Sequence, residues 1–366
     1  MLLGCFPQAF HDDAQKLFDD GVCDIVIGNK STTDAVSAVC RYAETFERFI
    51  CVSEHQRTES FDIISNNEIA TKTRAYVKIQ DGCEQYCTYC IIPFARGSIR
   101  SKPIEDIIAE ISGLALSGHK EIVLVGINLC CYGKDFNDGT RLIDAIEAAC
   151  SVDGISRVRL GSIEPEMISD NDIERMSRLE KLCPQFHLSL QSGCDRTLKS
   201  MNRKYTTDEY RALCEKLRHA FKDCAITTDI MVGFPDETDE DFSQSLKFVS
   251  EIGFAQAHIF PYSVRSGTVA AKRKGQITKA VKHQRALKMS RVSEVNSKEF
   301  LKNMVGKKVM VLFEKENCTE FHHGYSENYT LIKIPRKNPS KSLRRELFCV
   351  IIKTVGDGFC EGEIAE

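Results

Sequence analysis

No apolar run in these 366 residues approaches the ~20 needed to cross a bilayer as a helix. The opening MLLGCFPQAFHDDAQ is too short, and turns acidic too soon, for a secretory signal, so the expected location is the cytosol. Net charge is scarce as well. The 49 Lys and Arg against 52 Asp and Glu leave −3, so a nucleic-acid surface has to be a local patch and not a global field. No low-complexity tract occurs, and no long repeat beyond an alternation of strand and helix. A second C-x₂-C pair at zinc-finger spacing is missing too.

Cysteine itself is abundant, at 17, too many to be spread without purpose in a chain with no export signal to make disulfides expected. Scattered ones such as Cys40, Cys150, Cys214 and Cys349 read as small buried apolar residues, and the Cys130–Cys131 pair as structural.

Three regimes follow one another. Residues 1–71 form a short helix-and-strand pattern in which CDIVIGN reads as a buried strand ending in a turn. Residues 72–302 alternate strands and helices, with strands expected at 75–80, 121–126, 157–162, 186–191, 226–233 and 255–260. In the helix of PIEDIIAEISGLALSG, Ile104, Ile107, Ile108, Ile111 and Leu114 recur at helical spacing, between Pro103 and the stop at Gly118. Six βα units imply an α/β fold, a parallel sheet closed only part of the way to a barrel, with active residues at the C-terminal strand ends. Residues 303–366 read as a small all-β domain whose loop carries Lys333, Arg336, Lys337, Lys341, Arg344 and Arg345, either a solvated loop or a phosphate-contacting surface.

The first core strand runs straight into DGCEQYCTYCIIPFARG, with Cys83, Cys87 and Cys90 in a C-x₃-C-x₂-C run. Structural zinc wants four ligands, normally as two separated pairs. Three thiolates suit three irons of a 4Fe–4S cluster, leaving the fourth iron open for a substrate or cofactor. The spacing favours the cluster over zinc or inert thiols.

With Tyr89 as the aromatic before the third cysteine, the run resembles the signature of radical S-adenosylmethionine enzymes. Together with RLGSIEP, HLSLQSGCDRTLKSMNRKYTTDEY, TTDIMVGFPDETDEDF and IFPYSVRSGTVAAK, it resembles the methylthiotransferase family, closest to the branch acting on N6-threonylcarbamoyladenosine at position 37 of tRNA. GYSENY resembles the signature strand of the TRAM domain, an OB-like RNA-binding module. The resemblance implies a radical 4Fe–4S cluster on Cys83, Cys87 and Cys90. It implies S-adenosylmethionine cradled among Tyr89, Gly126, Asn128, Ser162, Glu164, Gln191, Ser192, Arg203, Asp229, Phe260 and Tyr262. Arg203 is expected to grip the cofactor carboxylate, with a surface salt bridge as the plainer role; Phe260 is expected near the adenine, or packed in the core. Partners implied are tRNA, an electron donor and a sulfur source, with no membrane. S-adenosylmethionine is expected both to donate the methyl group and to yield the 5′-deoxyadenosyl radical that activates C2 of the modified adenine.

The family also carries a second 4Fe–4S cluster on three spread cysteines near the N-terminus. LLGCFPQAFHDDAQ resembles the segment around the third, which makes Cys5 its counterpart; Cys23, Cys40 and Cys51 match neither of the others. The earlier part of that domain is therefore expected to be absent. One thiolate does not hold a cubane, so the chain is expected to cleave S-adenosylmethionine while transferring methylthio poorly. The alternatives are an isopentenyladenosine-specific enzyme and a non-catalytic tRNA-binding remnant. Anaerobic reconstitution followed by iron and sulfide assay should give about four irons per chain; about eight, with methylthio product formed, would refute the expectation.

Overall fold

The computed structural model describes residues 1–30, 32–56, 59–63, 72–316, 318–336 and 342–365. Its first part is a three-stranded parallel sheet in the order β1 (Leu2–Leu3), β2 (Ile25–Ile27), β3 (Phe49–Cys51). The connections are α1 (Cys5–Ala9), α2 (His11–Asp19) and α3 (Thr32–Thr45). The central strand β2 is buried throughout, as its unbroken apolar run requires. Cys40, expected inside, lies exposed on α3, and Cys349 is only half-buried; Cys150 and Cys214 are buried.

The middle of the chain alternates as the sequence pattern predicts. The strands are β4 (Ala75–Asp81), β5 (Arg100–Ser101), β6 (Glu121–Gly126), β7 (Arg157–Leu160), β8 (Ser162–Ile163), β9 (Gln185–Leu188), β10 (Ala225–Val232) and β11 (Gln256–Pro261). The helices are α4 (Ile92–Arg96), α5 (Ile104–Leu116), α6 (Leu142–Ser151), α7 (Asp170–Ser177), α8 (Asp195–Ser200), α9 (Thr207–Ala220), α10 (Asp239–Ile252) and α11 (Lys279–Lys302). One sheet has the order β5-β4-β6-β7 and the other β11-β10-β9-β8; only β5 is antiparallel, and a Val158–Leu182 bridge links the two. Among the described residues no pair joins β11 to β4, so the barrel is open on that side.

Alternation along the strands sorts the side chains. Phe186 and Leu188 of β9 and Ile226, Ile230 and Val232 of β10 join the core beneath the helices, so Gln185, His187, Thr227 and Asp229 take the opposite, interior face. On α5, Ile107, Ile111 and Leu114 are buried while Ile108 turns outward. Capping boxes open α7 (Ser169 with Asp172), α9 (Thr206 with Glu209) and α10 (Thr238 with Asp241), each cap worth ~1 kcal/mol. They fix where the loops after the strands turn back. No helix of the described residues is long and apolar enough to cross a membrane.

The last part is a closed five-stranded barrel in the order β12-β13-β14-β16-β15: β12 (Lys308–Phe313), β13 (Phe321–Ser326), β14 (Leu331–Pro335), β15 (Leu347–Val355) and β16 (Cys360–Ile364). The segment TEFHHGYSENYTLIKI forms two strands, β13 and β14. The chain reverses at Ser326–Thr330, where Tyr329 takes φ +64° and the Ser326 amide donates to the Thr330 carbonyl. Gly324 is required there, since a Cβ would sit 2.4 Å from the Leu312 carbonyl oxygen.

That turn closes the lower end of the central barrel. Tyr329 stacks on Tyr325 at 4.5 Å between centroids and lies between the guanidinium groups of Arg74 and Arg159, at 5.1 and 4.6 Å. Arg159 also bonds the buried Glu121 at 3.0 Å and the Glu327 carbonyl at 2.9 Å, while Arg157 reaches the Tyr325 carbonyl at 3.1 Å. Arg159→Ala leaves buried Glu121 without its closest partner and with only Arg157 and Arg74 at 3.5 and 3.8 Å; a loss of about 1–3 kcal/mol is expected in urea unfolding followed by circular dichroism.

Candidate active site

The end of β4 is built to aim a loop. Gln80 is fully buried, and its side-chain amide donates to the carbonyls of Asp81 and Gly82 at 2.7 and 2.8 Å. Its carbonyl oxygen accepts the backbone N–H of Asn128 at 2.8 Å, which ties the cysteine loop to the end of β6. Gly126 has no room for a side chain, since a Cβ would meet Gln80 at 2.9 Å. The loop is pinned again at its far side. Thr88 donates its amide to Met201 and accepts from the Ala270 amide, and the Asn202 side chain donates to the Tyr86 carbonyl at 3.0 Å.

Cys83, Cys87 and Cys90 are all half-buried thiols on this loop. Burial pushes the Cys83 thiol up from its ordinary range and Cys90 to about 11, so binding of metal has to supply what deprotonation costs there. The side-chain amide of Asn128 comes to 3.9 Å from Cys83 Sγ, and its buried carbonyl oxygen has no partner among the described residues.

Arg203, buried beneath the loop, gathers the other side. It donates to Cys87 Sγ at 3.5 Å, to the Ser189 carbonyl at 3.0 Å and to the Tyr205 hydroxyl at 3.2 Å, and it pairs through both terminal nitrogens with Glu164. Burial raises the Glu164 carboxyl and Arg203 opposes that rise; burial likewise works against the Arg203 charge, which Tyr205 and Glu164 sustain. These contacts join the loop to Glu164, after β8, and to Ser189, after β9.

The remaining candidates fall into groups. Ser162 meets Ser189 at 2.7 Å between hydroxyls, in the same layer as Glu164. Gln191 takes φ +66° and donates its amide to the Asp229 carbonyl at 2.8 Å; Ser192 is buried and accepts the Cys194 amide. Both shape the turn after β9. Tyr262 and Tyr89 pack with Phe234, Met201 and Ala270 behind the loop, and burial raises the Tyr89 hydroxyl. Phe260 is half exposed at the mouth and not in the core. Asp229 lies deeper, 3.4 Å from His187 Nε2. Cys5 Sγ accepts from Arg96 Nε at 3.2 Å and the Asn29 amide at 3.3 Å, which sets it beside α4, directly after the loop. Sequence reasoning missed Gln80, Ser189, Tyr205, His187 and His258.

A profile of the radical SAM superfamily matches residues 77–249. The threonylcarbamoyladenosine tRNA methylthiotransferase of Bacillus subtilis is 34% identical over 330 residues, covering 89% of this chain and 72% of that protein. Its counterpart in Thermotoga maritima is 37% identical, over 90% of this chain and 74% of that one. The chain belongs to the radical S-adenosylmethionine tRNA methylthiotransferases. A tRNA-2-methylthio-N6-dimethylallyladenosine synthase of Caldicellulosiruptor saccharolyticus, 38% identical over 90% of this chain and 68% of its own length, shows that both substrate branches match at similar identity.

The family's cofactors are a 4Fe–4S cluster and S-adenosylmethionine, and the residues present fit them. Among the described residues the three thiols are not drawn within 4.8 Å of one another, as donors around a single ion would be, and no fourth ligand joins them. The unpartnered Asn128 carbonyl oxygen offers an acceptor beside Cys83 for a cationic amino group. The basic residues of the last part are dispersed. Lys333 Nζ lies over the Phe359 ring at 3.6 Å, Arg336 bonds the Cys318 carbonyl at 3.0 Å, and Arg345 bonds the Lys72 carbonyl at 2.8 Å, holding that part to the core. Arg344 stands beside Arg345, and Lys337 and Lys341 lie outside the described residues. Arg203→Ala is expected to leave Glu164 unpaired in the pocket wall and to weaken S-adenosylmethionine binding about tenfold or more. Equilibrium dialysis of the cluster-loaded protein, with iron content as the control, measures it.

Proposed function

We propose that the chain methylthiolates C2 of N6-threonylcarbamoyladenosine at position 37 of tRNA. The observation that carries the choice between the two substituents is the interior face of the barrel below the cysteine loop. Gln185 and His187 on β9 with Ser189 just past its end, Thr227 and Asp229 on β10, and Gln256 and His258 on β11 make that wall polar on three adjacent strands. A hydrocarbon isopentenyl group would bring no partner to the exposed His258 ring or to the accessible part of the Asp229 carboxylate, whereas the ureido, carboxylate and hydroxyl groups of threonylcarbamoyl can bond both. The two matched relatives that carry the threonylcarbamoyladenosine name agree with this reading.

When bound, the cluster and S-adenosylmethionine supply the radical that takes hydrogen from C2 and the methyl group for the incoming sulfur. The protein's part is placement. Cys83, Cys87 and Cys90 would hold the cluster, Asn128 and Glu164 would serve the cofactor's polar end, and Arg203 ties the loop to the walls. Gly126 lets Gln80 lock the loop from below. Tyr89, Phe234 and Tyr262 close the back of the site to water. Lys333, Arg336 and Arg344 are proposed to meet tRNA phosphates, with Lys337 and Lys341 of the same loop. A sulfur source and an electron donor complete the reaction.

The test is anaerobic incubation of cluster-loaded protein with reductant, S-adenosylmethionine and tRNA carrying either modification, followed by mass spectrometry of the nucleosides. The 2-methylthio derivative of threonylcarbamoyladenosine is expected in small yield, with 5′-deoxyadenosine in excess, as a lone Cys5 of the auxiliary set implies. Product only on isopentenyladenosine would overturn the substrate, and absence of 5′-deoxyadenosine would leave the tRNA-binding remnant.

A further inference from the structure

One polar cluster is left unused by the cofactor-holding residues above. His187 on β9, Asp229 on β10 and His258 on β11 bring their ligand atoms within 4.8 Å of one another; Asp229 lies opposite His258, and His187 lies opposite Thr227, two residues nearer the lower end. The order comes from one hydrogen bond. The His187 Nδ1 and Thr227 Oγ1 atoms meet at 3.1 Å, which turns Nε2 toward Asp229 at 3.4 Å. The two imidazole rings stand 6.0 Å apart between centroids. His258 has no hydrogen-bond partner among the described residues and is exposed, while Asp229 keeps nearly a third of its side chain accessible. These are donors and an acceptor with capacity to spare on the wall of a chamber, the mark of a ligand subsite more than of packing.

Their level in the barrel says which ligand. Ser189, just past the end of β9 and two residues beyond His187, bonds Ser162 and accepts from Arg203, and two residues of strand rise about 6–7 Å. His187 therefore lies one layer beneath the Ser189–Arg203 contact, and Asp229 and His258 stand two residues nearer the mouth than His187. His258 also edges a cleft of about 420 Å³ with Thr227, Tyr325 and Tyr329, on the side where β11 has no strand partner toward β4. The chamber is thus reached from the open flank as well as from the mouth.

We propose that His187, Asp229 and His258 form the subsite that reads the polar end of the adenosine's N6 substituent, and that they determine substrate specificity. This rests on the substrate reading given above. The two imidazoles donate to the carboxylate and carbonyl oxygens of the substituent, and Asp229 accepts an N–H of its ureido group. A hydrocarbon substituent fills none of these roles and covers the Asp229 carboxylate with only His187 as its partner. The same three atoms are close enough for one divalent ion; their open, half-exposed setting favours a ligand that arrives and departs with the RNA.

The test compares wild type with His258→Phe and His258→Gln, using cluster-loaded full chain and anticodon stem-loop RNAs whose target adenosine is unmodified, threonylcarbamoylated or isopentenylated. Position 258 is exposed on an edge strand, so the aromatic variant should fold, and circular dichroism together with iron content checks it. His258→Phe should raise KM for the threonylcarbamoyl RNA about tenfold or more, with kcat and the values for unmodified RNA little changed. His258→Gln, which keeps a donor, should restore most of the affinity. An unchanged KM ratio among the three RNAs in His258→Phe would overturn the subsite while leaving the substrate reading intact. Failure of wild type on the threonylcarbamoyl RNA would overturn both. A stoichiometric divalent metal in the holoprotein, lost in His258→Phe, would replace the subsite with a metal site.

Discussion

A strand in a parallel sheet has two faces, and in this chain they carry opposite obligations. One face must be apolar enough to hold α5 through α11 against the sheet; the other surrounds a chamber and is free to be polar. Because the side-chain period is two, a one-residue slip would push His187 and Asp229 into the helix layer and Phe186 and Ile230 into the chamber. The chemistry and the core are thus fixed by the same register. Parallel pairing of β9 with β10, and of β10 with β11, holds that register over most of the length of β10.

Above that frame the site is assembled from loops, and buried polar anchors replace the sheet in ordering them. Gln80 joins the first cysteine to the end of β6, and Arg203 joins the second to the ends of β8 and β9. Each anchor bonds several partners at once, Gln80 on the backbone and Arg203 on Glu164, the Ser189 carbonyl, Tyr205 and Cys87, as low-dielectric surroundings demand. The lower end shows the same economy in a different form. Aromatic rings from the C-terminal turn settle between arginines whose charge is met by Glu121 and by main-chain carbonyls.

Much of this was legible in the sequence, for identifiable reasons. The six core strands lie within a residue or three of where their apolar runs place them, because each is bounded by turn residues. The cysteine triad could be read because three thiols at short spacing have few other uses. What escaped were residues whose meaning depends on which way a strand faces. His187 and His258 sit mid-strand, where a polar residue alternating with apolar ones looks the same whether it meets solvent or a chamber. Arg203 was legible as important but its contacts were not, since its partners Glu164, Ser189 and Cys87 come from distant segments. The turn that splits β13 from β14 was hidden because no proline marks it and its left-handed residue is Tyr329.

The unpaired flank between β11 and β4 has a topological consequence. A target base belongs to a continuous polymer, and a base inside a long strand cannot be threaded through a sealed ring. A slit wall removes that difficulty: the nucleotide can swing in sideways while the chain on either side of it stays outside. Leaving the staves unclosed thus gives an internal nucleotide the access that a complete eight-stranded cylinder would deny it.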